Sequence, residues 1–363
     1  MAINGFIDLR SDTLTIPTPA MREAMASAEV GDDVFAEDPT VNKLQEMAAA
    51  RLGFEAALLV CSGTMGNLAA MLAHCGRGEE IIVGDQSHIY IYEGGGTAVV
   101  GGIHPRSVPN QPDGTLRLDD IANAIRPKDS HYPETRVIAL ENTHNRMGGA
   151  VLTPAYMQQV SALAQQHGLK LHIDGARIFN AAAALDIDVK ALTKGADSAT
   201  FCLSKGLSAP VGSVLCGSKA FIQIAHKRRK VLGGGMRQAG VIAAAGVVAL
   251  EQMTERLRED HANAMALAEG IAHVEGVRVD LGSVRSNMVY FDIDPAMPFD
   301  APALCKRVAV ERVKINPTAP RRIRMVTHCW VNRDEMIEAA QVIAHATRQL
   351  QAGGKAITAG LDG

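Results

Sequence analysis

The sequence predicts an α/β protein: a large domain on a mostly parallel sheet with helices on both faces, then a smaller α+β domain. Three observations carry this. From about residue 40 to residue 217, strand-like runs alternate with helical ones. The strand runs are apolar throughout, as expected of strands covered on both faces. After Gly240 the pattern changes to long helices followed by shorter strands.

Taken in order, "TVNKLQEMAAARLG" reads as a helix capped by Thr40 and stopped by Gly53. "ALLVC" (57–61) is a short buried strand, followed by a glycine-bearing turn and the apolar helix "GNLAAMLAHCG". "EIIVG" (80–84) and "RVIALEN" (136–142) are further strands. The next helix, "TPAYMQQVSALAQQHG", has Thr153 as cap, Pro154 at its first position and Gly168 at its end. "LKLHID" (169–174), "SATFCLS" (198–204) and "GSVLCG" (212–217) complete the sheet. Beyond Gly240 come one or two long helices, the strands "VRVDL", "NMVYFDI" and "IRMVTH", and a closing helix, "RDEMIEAAQVIAHATRQL". These runs place the large domain at 1–252, the small domain at 253–350 and a flexible tail at 351–363.

Composition narrows the function. The 363 residues are 47% hydrophobic and 21% charged, with a formal net charge of −3 and no basic stripe interleaved with aromatics. Nucleic acid is therefore not an expected partner. No apolar run is long enough to span a bilayer, and the N-terminus lacks the form of a signal peptide. A cytoplasmic protein is expected. The six cysteines, Cys61, Cys75, Cys202, Cys216, Cys305 and Cys329, form no C-x-x-C pair. Their scatter predicts neither disulfides nor a metal centre.

Three stretches carry chemistry. In "CSGTMGN" (61–67) a strand ends, a small-residue turn follows and a helix begins, which makes an anion site at Gly63 and Thr64. In "LHIDGAR" (171–177) Asp174 ends an apolar strand, where open α/β sheets bind ligands. In "ATFCLSKG" (199–206) Lys205 stands alone beyond another strand, among small residues. Pyridoxal phosphate needs all three: a phosphate cradle, a carboxylate for its ring nitrogen and an amine for its aldehyde.

The motifs "DLRSDT" (8–13), "GDDVFAEDPT" (31–40), "SGTMGN" (62–67), "ENTHN" (141–145), "HIDGARIFNA" (172–181), "CLSKG" (202–206), "GGGMRQAG" (233–240) and "IRMVTH" (323–328) resemble those of the threonine aldolases. These are fold-type-I pyridoxal phosphate enzymes. The resemblance implies a low-specificity aldolase that cleaves L-threonine and L-allo-threonine to glycine and an aldehyde. It implies that Lys205 carries the cofactor and takes part in catalysis, that Asp174 faces the pyridinium nitrogen, and that His88 stacks on the ring. Gly63 and Thr64 hold the phosphate, with Lys230 and Arg237 reaching a neighbouring subunit's phosphate. Ser11, Arg177 and Arg324 hold the substrate's carboxylate, Arg177 lying against the cofactor as well. His88 and His131 are the candidates for handling the β-hydroxyl proton, with His131 touching substrate. A homotetramer built as a dimer of dimers is expected. The same scaffold also hosts amino-acid racemases and β-eliminating lyases, which stay as the alternative. Simpler roles fall to His172 as a packed strand residue, His328 as a space-filler near Arg324, and Met325 as core. The acidic "GDDVFAED" reads as a solvated loop or a flexible lid.

Overall fold

The structure, a computed structural model, describes residues 5–359. Contacts divide the chain into Ile16–Glu255 and a second unit made of Met1–Thr15 with Arg256–Gly363.

The larger unit is built on seven strands: β1 (Ala56–Val60), β2 (Glu80–Gly84), β3 (His104–Val108), β4 (Thr135–Glu141), β5 (Lys170–Asp174), β6 (Ser198–Cys202) and β7 (Ser213–Gly217). Their order is β1-β7-β6-β5-β4-β2-β3. β7 is antiparallel to both neighbours, and all other pairs are parallel. Every residue of β2, β6 and β7 is buried, in keeping with their continuous apolar runs. The apolar signal misses β3, "HPRSV". It is an edge strand paired only with β2, so it needs no apolar face on both sides and tolerates Pro105.

The helices of this unit include α1 (Pro39–Leu52), α2 (Gly63–His74), α3 (Pro154–Gln166), α4 (Lys219–Val231) and α5 (Gly240–Val248). α1 starts two residues earlier than a Thr40 cap would set it. Asp38 is the cap, accepting from the N–H groups of Thr40 and Val41, and Pro39 fills the first turn. Gly53 closes α1 in the left-handed region at φ 76°. Thr153 caps α3 as expected. Leu58, Val60, Met71, Ile81, Val83, Val137 and Leu215 share one buried core.

The second unit has a four-stranded antiparallel sheet in the order Asn316–Ala319, Arg322–Val326, Met288–Ile293, Val277–Arg278. Its helices are α6 (Leu257–Ile271), α7 (Ala301–Val310) and α8 (Arg333–Ala359). Residues 1–15, grouped with the large domain by sequence, supply strand Ile7–Asp8, which pairs in parallel with Val313–Lys314 of this unit. Val326 N–H donates to Leu9 O at 2.8 Å, tying the same segment to the sheet. His328 is no mere space-filler: Nε2 bonds Asp8 O at 2.8 Å, and Nδ1 accepts from Trp330 N–H. Met325 lies in the core. α8 runs to Ala359, through most of the segment expected as a tail, while 360–363 fall outside the described residues.

The acidic loop is anchored at its acids, although Phe35, Ala36 and Glu37 are exposed. Asp33 and Asp38 are buried. Arg229, 1% exposed, donates to Asp33 Oδ2 at 2.7 Å and to Leu59 O at 2.8 Å. Gly240 N–H donates to Asp38 Oδ2 at 2.8 Å, and Arg237 pairs with Asp32 at 3.0 Å. Loop 31–38 is therefore fastened to segment 229–240. Removing one member of a buried ion pair strands the other. Arg229→Ala should lower stability by about 3–5 kcal/mol in urea unfolding, and a double Arg229→Met, Asp33→Leu variant should recover part of that loss.

Candidate active site

Several parallel strands deliver polar groups at their carboxyl ends, where α/β sheets bind ligands. β1 leads into α2. Ser62 caps α2 by accepting from Met65 N–H at 3.1 Å, and the helix has no acceptor of its own for the N–H groups of Gly63 and Thr64. A Cβ on Gly63 would lie 2.9 Å from Cys202 Sγ, and one on Gly66 2.6 Å from Thr200 Cγ2. Glycine at both positions lets α2 settle on β6, a packing reason beside the anion-binding one. Two buried hydroxyls, Thr200 Oγ1 and Ser213 Oγ, have no hydrogen-bond partner. They lie 3.4 Å and 3.7 Å from where those Cβ atoms would stand.

Asp174 ends β5 and is buried. Its Oδ1 accepts from Ala176 N–H at 3.2 Å and its Oδ2 from Asn67 Nδ2 at 2.9 Å. The same Asn67 nitrogen donates to Glu93 Oε1 at 2.9 Å. Only an NH2 group can face two carboxylate oxygens, so the orientation of this amide is settled chemically. Its Oδ1 must then accept from His172 Nε2–H, at 3.1 Å. His172 Nδ1 in turn accepts from Ser198 Oγ–H, and Ser198 Oγ accepts from His74 Nε2–H, both at 2.8 Å. Burial lowers His172 to about 3 and His74 to about 4, so both rings are neutral at pH 7. His172 is a packed strand histidine, as expected, and also a link in this chain.

His88 follows β2. Its backbone N–H donates to Glu141 Oε2 at 2.7 Å, and Glu141, at the end of β4, also accepts from Asn145 N–H. The His88 Nδ1 atom lies 2.8 Å from Glu93 Oε1, whose side chain is 5% exposed. Burial alone would lower the imidazole's pKa. The Glu93 hydrogen bond and the charges of Asp174 and Glu93 outweigh that and leave it raised, against an opposing push from Lys205. Burial raises the Glu93 carboxyl, and the nearby Asp174 adds to this. Single ligand atoms of His88, Glu93 and Asp174 all lie within 4.8 Å of one another.

Lys205 lies just beyond β6, half-buried in a bend. The turn is held by Ser208, left-handed at φ 65°, whose N–H donates to Lys205 O at 2.8 Å and whose Oγ donates to Ile16 O. Its charge is felt at His88.

The other predicted residues are placed as follows. Arg177 is buried at the start of helix Ile178–Leu185. The His131 side chain is 83% exposed, with Nδ1 2.6 Å from Asp129 Oδ1. Lys230 lies in the last turn of α4 and Arg237 in the loop after it. Ser11 and Arg324 belong to the second unit. Ser11 Oγ caps the turn Asp12–Leu14, and Arg324 Nη2 donates to Arg10 O at 3.2 Å. Asn67, Glu93, Glu141 and Ser198 escape the sequence reading. Asn67 did leave a signal, as the lone amide in the apolar run "GNLAAMLAH".

The profile of the beta-eliminating lyase family matches residues 8–294. Low-specificity L-threonine aldolase 1 of Arabidopsis thaliana is 50% identical over 333 residues, covering 91% of this chain and 93% of its own. The low specificity L-threonine aldolase of Escherichia coli K12 is 46% identical over 334 residues, covering 92% and 97%. Among solved structures, the Leishmania major threonine aldolase superposes with a TM-score of 0.80 at 20% identity, over 94% of this chain and 99% of that one. That likeness gives the architecture, fold type I. With the profile and these relatives matched along most of its length, the chain belongs to the low-specificity L-threonine aldolases, within the beta-eliminating lyase family.

Proposed function

We propose that the protein is a lyase that splits L-threonine, L-allo-threonine and related β-hydroxy-α-amino acids between Cα and Cβ, giving glycine and an aldehyde, with pyridoxal 5′-phosphate as cofactor. The observation that carries this reading is Asp174. A buried carboxylate at a strand end, held by Asn67 and Ala176 N–H, has the chemistry to keep a ring nitrogen protonated. The rest of the site fits the same group. The start of α2 has free N–H groups and two unpartnered buried hydroxyls beside a glycine cradle, which suits a phosphate. When bound, the cofactor supplies an aldehyde for the substrate's amine and a ring that accepts the electron pair released on cleavage.

The chain's own residues do the rest. Lys205 Nζ holds the cofactor's aldehyde, and Gly63 and Thr64 hold its phosphate. Lys230 and Arg237 are assigned to a neighbouring subunit's phosphate. His88 would stack on the cofactor's ring and is the group to take the β-hydroxyl proton. Arg177, Ser11 and Arg324 hold the substrate's carboxylate, a task that suits the fork of arginine. His131, exposed and bonded to Asp129, has less to support it than His88. The racemase or β-eliminating alternative is not favoured, since relatives matched along most of the chain carry the aldolase name.

A homo-oligomer, built as a dimer of dimers, is part of this reading. Tyr90, Tyr92, Val99, Val100 and Val231 are exposed apolar side chains that an interface would cover. Among the described residues no helix is long and apolar enough to cross a membrane. None of the six cysteines is in a disulfide, which suits a reducing, cytoplasmic compartment.

Three outcomes are expected. Lys205→Ala should cut glycine formation from L-threonine by about 10³-fold or more and abolish the borohydride-reducible adduct. A reducible adduct persisting on another lysine would overturn the assignment. Asp174→Ala should retain some cofactor and lose about 10²- to 10³-fold in turnover, and near-normal turnover would place the ring nitrogen's partner elsewhere. Light scattering of the active protein should give a multiple of 38.5 kDa, and a fully active monomer would contradict the assembly.

A further inference from the structure

Glu93 has a geometry that no assigned role uses. Its carboxylate is nearly inaccessible, yet a single oxygen, Oε1, meets both Asn67 Nδ2 at 2.9 Å and His88 Nδ1 at 2.8 Å. With Glu93 ionised, Oε1 can only accept, from Asn67 and from the ring, so the hydrogen between Oε1 and His88 belongs to the ring nitrogen. The neutral imidazole is thereby held as the Nδ1–H tautomer, with the Nε2 lone pair facing away from Glu93. Asn67 is fixed in turn by His172, Ser198 and His74, so Glu93 cannot turn from the ring without breaking this chain.

We propose that Glu93 is a positioning residue for His88: with Asn67 behind it, it fixes the ring with its proton on Nδ1 and presents Nε2 as the proton acceptor of the site. The proposal deepens the reading of His88 given above and rests on it for the catalytic consequence, but not for the tautomer. The charged and titratable groups around the ring are Glu93 and Tyr92 on its own segment, Glu141 at the end of β4, Asp174 at the end of β5 and Lys205 beyond β6. Glu93 is the group bonded to Nδ1, at 2.8 Å, and its replacement acts on that contact.

The sign follows from the charge. An acceptor must be unprotonated, and the negative Glu93 makes the ring hold its proton to higher pH. Glu93→Gln keeps the shape and removes the charge. The acid limb of the kcat/KM profile should therefore move to lower pH by about one unit, a change worth about 1.4 kcal/mol. The plateau kcat should fall by about 10- to 100-fold, the usual cost of losing a histidine's orienting partner, with KM little changed. Glu93→Asp, which keeps the charge, should return the limb toward its original position. A merely structural role would lower the rate and leave the limb in place.

A second measurement needs no turnover. In the cofactor-free full-length protein, acylation of His88 by diethyl pyrocarbonate is followed against pH and mapped by mass spectrometry. This reagent attacks an unprotonated ring nitrogen. Its midpoint at His88 should lie lower in Glu93→Gln than in the parent chain. An unchanged midpoint, or a His88 that never reacts, would overturn the proposal. If the midpoint shifts while the protein fails to take up pyridoxal phosphate, the functional reading fails and the assignment of Glu93 stands.

Discussion

Glu93 and Asp174 are two buried carboxylates whose oxygens come within 4.8 Å of each other, and the site depends on keeping both there. At an effective dielectric constant of 20, two such charges repel by about 3 kcal/mol, before any cost of leaving water. Asn67 offsets this by donating one N–H to each. The imidazole of His88, bonded to Glu93, also counters the rise of that carboxyl. Asn67 reaches both acids only because α2 sits directly on β6, and that approach needs Gly63 and Gly66. A methyl group at either glycine would strike β6 and lift the amide away from the carboxylates. The "GTMG" turn thus serves the acids as much as any anion at the helix start.

The sheet was legible because it is buried. Six of seven strands announce themselves as apolar runs, and β3 does not because an edge strand carries no such requirement. Asp174 and Lys205 were legible for a related reason: each breaks an apolar run at its end, where a polar side chain is costly unless used. Glu93 gave no such contrast. It stands in "YEGGG", where an acid reads as surface, and only the folded chain brings it to an imidazole five residues back and an amide 26 residues back. His131 shows the converse. Its candidacy came from resemblance alone, and its side chain lies open to solvent beside Asp129.

Charge read along the chain also misled. "AHKRRK" looks like a basic patch awaiting an anion, and "GDDVFAED" like an exposed acidic loop. Each is in part the other's answer. Arg229 spends its charge on Asp33 in the interior, and Arg237 meets Asp32. Lys227, Arg228 and Lys230 stay exposed on α4, and Arg237 is only partly taken up by Asp32. The consequence is structural: the glycine triplet 233–235 is flanked by residues bolted to loop 31–38, so a segment composed for freedom is held from both ends.

The polar support behind the carboxylates is neutral, and this separates two uses of histidine in one protein. His88 borders charged groups and keeps its affinity for a proton. His172 and His74, deeper in, have theirs depressed to about 3 and about 4. His74 donates and His172 both accepts and donates, passing orientation from His74, stacked at 4.4 Å on Phe221, through Ser198 to Asn67. A lysine or arginine there would add a buried positive charge and compete with Lys205 for the acids. A serine could not span the distance. Neutral rings carry a cost only in acid. The unfolded chain protonates them near pH 6.5 and the folded chain does not, so the stability they allow is intact above that value. It is lost progressively as the pH falls toward 4. Near neutrality, then, the deep histidines hold geometry as neutral rings, while the charges around His88 raise its affinity for a proton.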